Sequence, residues 1–136
     1  VSGITEFERQ LLSAVLGGDH PVLEALRAQL ADAVVDSRET SESGFMTHIK
    51  TSGAPADVNV DALDDLQIEL AGAASPAEVI LHLDEGRITA LECALYDGAM
   101  PDAPRITSAW FYGTKKFAEI GDELFAARDV EGLLEE

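Results

Sequence analysis

Near Val34 the apolar residues of this chain change their repeat from the spacing of a helix to that of a strand, and that switch limits the folds open to it. Before it, Ile4, Phe7, Leu11, Leu12 and Val15 line one side of a first helix, and Leu23, Leu26, Leu30 and Val34 one side of a second. Thr5 and Glu8 have the spacing of a capping box, and Gly17-Gly18 supplies the stop. Asp19 or His20 starts the second helix, with Pro21 in its first turn, where a missing amide proton costs nothing. Two such short helices need a sheet on which to bury their stripes.

Residues 34 to 112 provide that sheet. Runs at 34 to 40 and 45 to 51 flank a Ser, Glu and Gly turn. Residues 52 to 64 form a loop rich in Pro, Asp and Ala, with a short extended piece at Val58 and Val60. Leu66, Ile68 and Leu70 then alternate with Gln67 and Glu69. A hairpin runs from Glu78 to Tyr96 around Asp84, Glu85 and Gly86, and a three-residue loop ending in Gly sets Leu83 opposite Arg87, Leu81 opposite Thr89 and Val79 opposite Leu91. One face of the hairpin is aliphatic. The reverse, with Glu78, Ile80, His82, Ile88, Ala90, Glu92, Ala94 and Tyr96, is more apolar than a freely solvated surface, so the C-terminal helix, a second copy of the chain or a ligand is expected on it.

Residues 105 to 112 read as one more strand, Thr114 as the cap of a helix carrying Phe117, Ile120 and Leu124, and Asp129 as the start of a last turn. The pattern predicts a single α+β domain over 1–136: two N-terminal helices, an antiparallel meander sheet of four to six strands and a C-terminal helix. A curved, cystatin-like arrangement meets these requirements.

The chain holds 26 Asp and Glu against 9 Lys and Arg, a net charge of -17, with no basic residue between Lys50 and Arg87. That field repels phosphate backbones and anionic head groups, so neither nucleic acid nor a membrane surface is an expected partner. Asp57, Asp61, Asp64, Asp65 and Glu69 form an acidic stretch to which a basic protein would be steered, although a solvated acidic skin that maintains solubility has the same composition. A lone Cys93 excludes an intramolecular disulfide, no apolar run reaches the ~18 residues of a membrane span, and residues 1 to 6 lack a basic leader region, so a cytoplasmic location is expected.

No G-x-S-x-G, paired cysteines, H-E-x-x-H or P-loop occurs, and no catalytic residue, metal or cofactor is assigned. His20 reads as a poor cap or a solvated side chain. His48 and His82 fall in strands on the face opposite the aliphatic row. With Glu92, Tyr96 and Trp110 they make up a candidate binding face, able to serve a small ligand or acid-base chemistry if the strands bring them together. Cys93, between Leu91 and Leu95, reads as core.

Residues 21 to 30 (PVLEALRAQL), Ser37-Arg38-Glu39, Gly44-Phe45, residues 83 to 87 (LDEGR) and Leu91-Glu92 resemble a group of small uncharacterised bacterial proteins of similar length, over roughly residues 20 to 97. The resemblance implies an α+β domain with leading helices and a meandering sheet, and no activity. The function expected from the residues is that of a non-catalytic protein-binding module of the immunity or inhibitor type that recognises a basic partner. The alternatives are a small-molecule-binding protein or simple acid-base enzyme with a pocket on the sheet face, and a homodimer formed through that face.

Overall fold

Alternation after residue 34 yields six strands: β1 (Val34–Thr40), β2 (Gly44–Lys50), β3 (Ala62–Leu70), β4 (Ala77–Asp84), β5 (Arg87–Leu95) and β6 (Ile106–Phe111). In the computed structural model, which describes residues 3–135, they form one antiparallel sheet ordered β1-β2-β5-β4-β3-β6. Chain neighbours pair at β1–β2, β3–β4 and β4–β5, while β2 lies against β5 and β6 returns to β3. Helices α1 (Glu6–Val15) and α2 (Pro21–Gln29) precede the sheet, and α3 (Asp122–Ala126) and α4 (Val130–Leu133) follow it. The fold is α+β, as the change of repeat requires.

Both helix starts are set by their local chemistry. Thr5 and Glu8 cap α1 reciprocally, at 3.1 and 2.9 Å, and His20 Nδ1 accepts the Val22 amide at 3.1 Å ahead of Pro21. Helix α1 packs on β3 and β4, and α2 on β5. Leu11, Leu12, Leu23 and Leu26 thereby join Leu63, Leu66, Ile68, Val79, Leu81, Leu91 and Phe111 in one dry core. Each such side chain, fully buried, contributes about 1.5 to 3 kcal/mol.

The hairpin between β4 and β5 differs from its expected register. Glu85 (φ 49°) and Gly86 (φ 78°) make a two-residue turn, so Leu81 faces Leu91 and Val79 faces Cys93. A shift by two residues leaves the faces unchanged, because side chains alternate with period two. A bulge near His82 and Leu83 then pairs Leu83 with Ile88 and turns Ile88 into the helix-side core, 1 % exposed, away from the reverse face where alternation placed it. Gly86 is required by close approach as well as by φ: a Cβ there would stand 2.0 Å from the Ala56 carbonyl oxygen. The Gly86 carbonyl accepts from Ala56 N and Gln29 Nε2, and Gln29 Oε1 accepts from Ile88 N. The 1 %-exposed Gln29 side chain thus locks α2, the 51–61 loop and the hairpin together.

Three further expectations are corrected. Strand β3 begins at Ala62, because a bulge at Asp64-Asp65 interrupts its alternation. Val58 and Val60 pack on the core without joining a strand. No helix starts at Thr114. Its hydroxyl accepts the Phe111 amide at 3.1 Å to close a turn, and Phe117 bridges Ala109 along the outer edge of β6, satisfying backbone groups that a helix would have left open there. Asp129 does cap the last turn, accepting from Gly132 N at 3.0 Å.

Two carboxylates are buried with cations. The Arg128 guanidinium, its side chain fully buried, grips Asp65 through two 2.8 Å bonds, donates to the Gly17 carbonyl at 2.9 Å and stacks over Phe111 at 4.3 Å. Glu8, 4 % exposed, receives the Arg38 fork at 2.8 and 3.1 Å, the Thr5 amide and the Thr47 hydroxyl. Burial pushes the Glu8 carboxyl up, but the bonds from Arg38, Thr47 and Thr5 outweigh it and hold the group at about 2.

Asp65→Ala should cost about 3 to 5 kcal/mol, because it strands a buried cation, and adding Arg128→Met should recover part of that loss. Urea midpoints test this: a double variant no more stable than Asp65→Ala would show that the ion pair is not what that site depends on. Glu8 has a depressed folded pKa, so its contribution, on the order of 2 kcal/mol after screening, is full above about 4.5 and fades as pH falls towards about 2. Urea midpoints of Glu8→Gln and the parent should therefore differ at neutral pH and converge near pH 2. A gap constant with pH would contradict the assignment.

Candidate functional site

The helices and the core residues they cover lie on one side of the sheet, and the polar and aromatic residues of the candidate face lie on the reverse. Cross-strand pairing orders it in rows. Ser37, His48, Ala90, His82 and Ala62 form one row, and Glu39, Met46, Glu92 and Ile80 the next. The third row is Gly44, Ala94, Glu78, Gln67 and Trp110. All five residues of the candidate face, His48, His82, Glu92, Tyr96 and Trp110, share this side. It stays half-open, with Ile80, His82, Glu92, Ala94 and Trp110 all partly exposed and Tyr96 at 60 % and Tyr112 at 54 %. The C-terminal helix, one of the covers expected for it, packs on the other side, where Leu124 joins the core and Phe125 fills the space beside Gly17.

The two histidines do not converge. Each flanks Ala90 from a different strand, about 10 Å from the other at two strand spacings, and each holds its own carboxylate: His82 with Glu92 at 2.9 Å and His48 with Glu39 at 2.7 Å. These are two half-exposed hydrogen-bonded pairs, and they share no reacting atom. Among the described residues no three His, Cys, Asp or Glu groups gather as metal ligands. Cys93 lies on the helix side, and burial, then the Glu92 charge, pushes its thiol up to about 12, so it carries no reactive thiolate.

Around Tyr96 the side chains close into a ring that alternation alone did not reveal. Tyr96 Oη donates to Gln67 Oε1 at 2.7 Å and lies 3.2 Å from Glu78 Oε2. Tyr112 Oη donates to the same Glu78 oxygen at 3.0 Å and accepts from Gln67 Nε2 at 3.1 Å. Gln67, 4 % exposed, is the buried floor of this ring, and the phenols are its exposed rim. Burial and the Glu78 charge raise both tyrosines above their ordinary range, so both remain protonated donors at neutral pH. Beside them the Lys116 ammonium sits 4.9 Å over the Trp110 ring and 3.0 Å from Glu69 Oε2. Gln67, Glu78 and Tyr112 were missed as a set. The available signal was their position on the open face, on three neighbouring strands, with Gln67 and Tyr112 45 residues apart in sequence.

The acidic stretch divides. Asp57, Asp61 and Asp64 are exposed, whereas Asp65 is buried in its ion pair with Arg128 and Glu69 is held by Lys116 and Ser108. The cations come from the C-terminal segment, which a charge count along residues 51 to 86 does not reach. On the sheet face the hollow at Glu39, Phe45, Met46, Glu92 and Ala94 holds only about 260 Å³. A cleft of about 680 Å³ with a histidine in its wall lies on the helix side, between Gly17, His20, Arg27 and Phe125, and not on the sheet.

No helix of the described residues is long and apolar enough to cross a membrane. No family model, curated protein or solved structure matches this chain.

Absorbance titration tests the ring directly, because Tyr96 and Tyr112 are the chain's two tyrosines. Neither should ionise near pH 10 in the folded protein, and Glu78→Gln, which removes the adjacent charge, should bring ionisation to lower pH. A parent titrating at the ordinary tyrosine value would show that the ring does not form in solution.

Proposed function

We propose that this protein is a non-catalytic binding module that docks a basic protein on the open face of its sheet, in the manner of an immunity or inhibitor protein neutralising a cationic toxin. The observation that carries this reading is the pairing of exposed Tyr96 and Tyr112 with the Glu78 carboxylate on a face that no helix of the described residues covers. Tyrosine and tryptophan are the side chains that concentrate binding energy at interfaces, and carboxylates among them select for positive charge.

Charge favours a basic partner over a second copy. At -17 per chain, two such faces brought together would oppose like fields, whereas a cationic surface gains from them. Exposed Asp57, Asp61 and Asp64 extend the field beyond the face and would act on encounter more than on the bound state. A cytoplasmic setting suits a chain whose only thiol is buried and unpaired.

Trp110, the single tryptophan, belongs to this face and reports on it. Titration with an oligoarginine peptide should change its emission, and association should slow as salt rises. Asp57→Asn with Asp61→Asn should reduce the association rate and leave dissociation nearly unchanged. Absence of binding at low salt, or binding that leaves Trp110 unperturbed, would refute the proposal.

A further inference from the structure

Four glutamates project from the open face, and three are already matched. Glu39 holds His48, Glu92 holds His82 and Glu69 holds Lys116. Glu78 is different: among the described residues it has no cationic partner, both phenols approach its Oε2, and its Oε1 makes no hydrogen bond. A carboxylate oxygen with free lone pairs therefore adjoins the oxygen that two exposed tyrosine hydroxyls approach, beside buried Gln67.

The protein fills an equivalent arrangement with its own chain. One strand away, the Lys116 ammonium contacts the Trp110 ring and the Glu69 carboxylate together, at 4.9 and 3.0 Å. Aromatic face and carboxylate form a two-part cation site there. The Tyr96, Glu78 and Tyr112 cluster likewise sets aromatic side chains beside a carboxylate, with no cation on it among the described residues.

We infer that this cluster is the seat for an arginine side chain of the partner, whose guanidinium donates to Glu78 Oε1 while its plane lies against a tyrosine ring. The inference rests on the docking reading above and names the residue chemistry that the face selects. Arginine fits better than lysine, because its planar, weakly hydrated head stacks on a phenol while its remaining N–H groups stay directed at the carboxylate. The phenols contribute twice. Their hydroxyls hold the carboxylate in place before the partner arrives, and their rings supply the stacking surface, so little ordering is left to the binding step.

N-acetyl-arginine methylamide, titrated into the full chain and followed by backbone amide NMR shifts, tests the seat. Shifts should centre on Glu78, Gln67, Tyr96 and Tyr112 and saturate, while the neutral citrulline analogue should produce none. Glu78→Gln keeps the shape and should weaken binding by roughly tenfold, as expected for loss of a charged partner. Tyr96→Leu, which removes the ring from an exposed position, should weaken it as well. Shifts centred on Asp57 and Asp61, or equal affinity for citrulline, would overturn the seat. Oligoarginine that still binds both the parent and Glu78→Gln with the same affinity would also overturn it while sparing the docking reading, whereas failure of oligoarginine to bind the parent would remove both.

Discussion

The buried pair between Arg128 and Asp65 decides where the segment after β6 goes. Its cation comes from beyond α3 and its anion from a bulge in β3, and the same guanidinium reaches the Gly17 carbonyl at the end of α1. Three segments far apart in sequence are thus held at one point. Because that point is on the helix side, α3 packs on β6 with Phe125 beside Gly17, α4 packs on β3, and no described helix covers the opposite sheet face. A buried pair of this kind gives little net stability compared with apolar packing, but a half-formed one is costly. Its role here is to specify placement: a C-terminal segment docked elsewhere would leave Asp65 or Arg128 buried alone.

Bulges do comparable work within the sheet. The irregularity beside Leu83 sends Ile88 into the core, and the one at Asp64-Asp65 turns a carboxylate inward where strict alternation would keep it outside. Each breaks a period-two pattern by one residue, and each break serves a contact with another element: Ile88 N with Gln29 of α2, and Asp65 with Arg128. The open face keeps its composition because the residues between bulges, from Glu78 to His82 and from Ala90 to Ala94, remain in uninterrupted alternation.

This explains what the sequence disclosed and what it concealed. The starts of α1 and α2 were legible because caps are local: Thr5 with Glu8 and His20 with Pro21 act within three residues. The two faces of the central hairpin were legible because an even register error preserves them. Ile88, the true start of β3 and the fate of residues 114 to 121 were not, since each is set by a tertiary partner: Leu83, Arg128 and Ala109 respectively. The five candidate residues share one sheet face, but the ring linking Tyr96 to Gln67, Glu78 and Tyr112 depends on β3, β4, β5 and the end of β6 lying side by side, an order that the chain sequence does not follow.

The charge imbalance has a sharper meaning once the cations are located. Arg128 neutralises Asp65 inside the protein, Arg38 reaches the buried Glu8 from the surface, and Arg27 and Arg87 are directed at backbone carbonyls of Leu16, Gly18 and Gly53. These basic side chains bind elements to one another, and Arg128, fully buried, adds nothing to the exterior. The outward field is therefore set by carboxylates such as Asp57, Asp61 and Asp64, and it persists close to the surface where a partner approaches. A chain that needed acidity only for solubility would gain it from any distribution of these groups. Here a glutamate with no cationic partner among the described residues accepts from two tyrosines on a sheet face that no described helix covers, and that placement, more than the total charge, is what supports the proposed recognition.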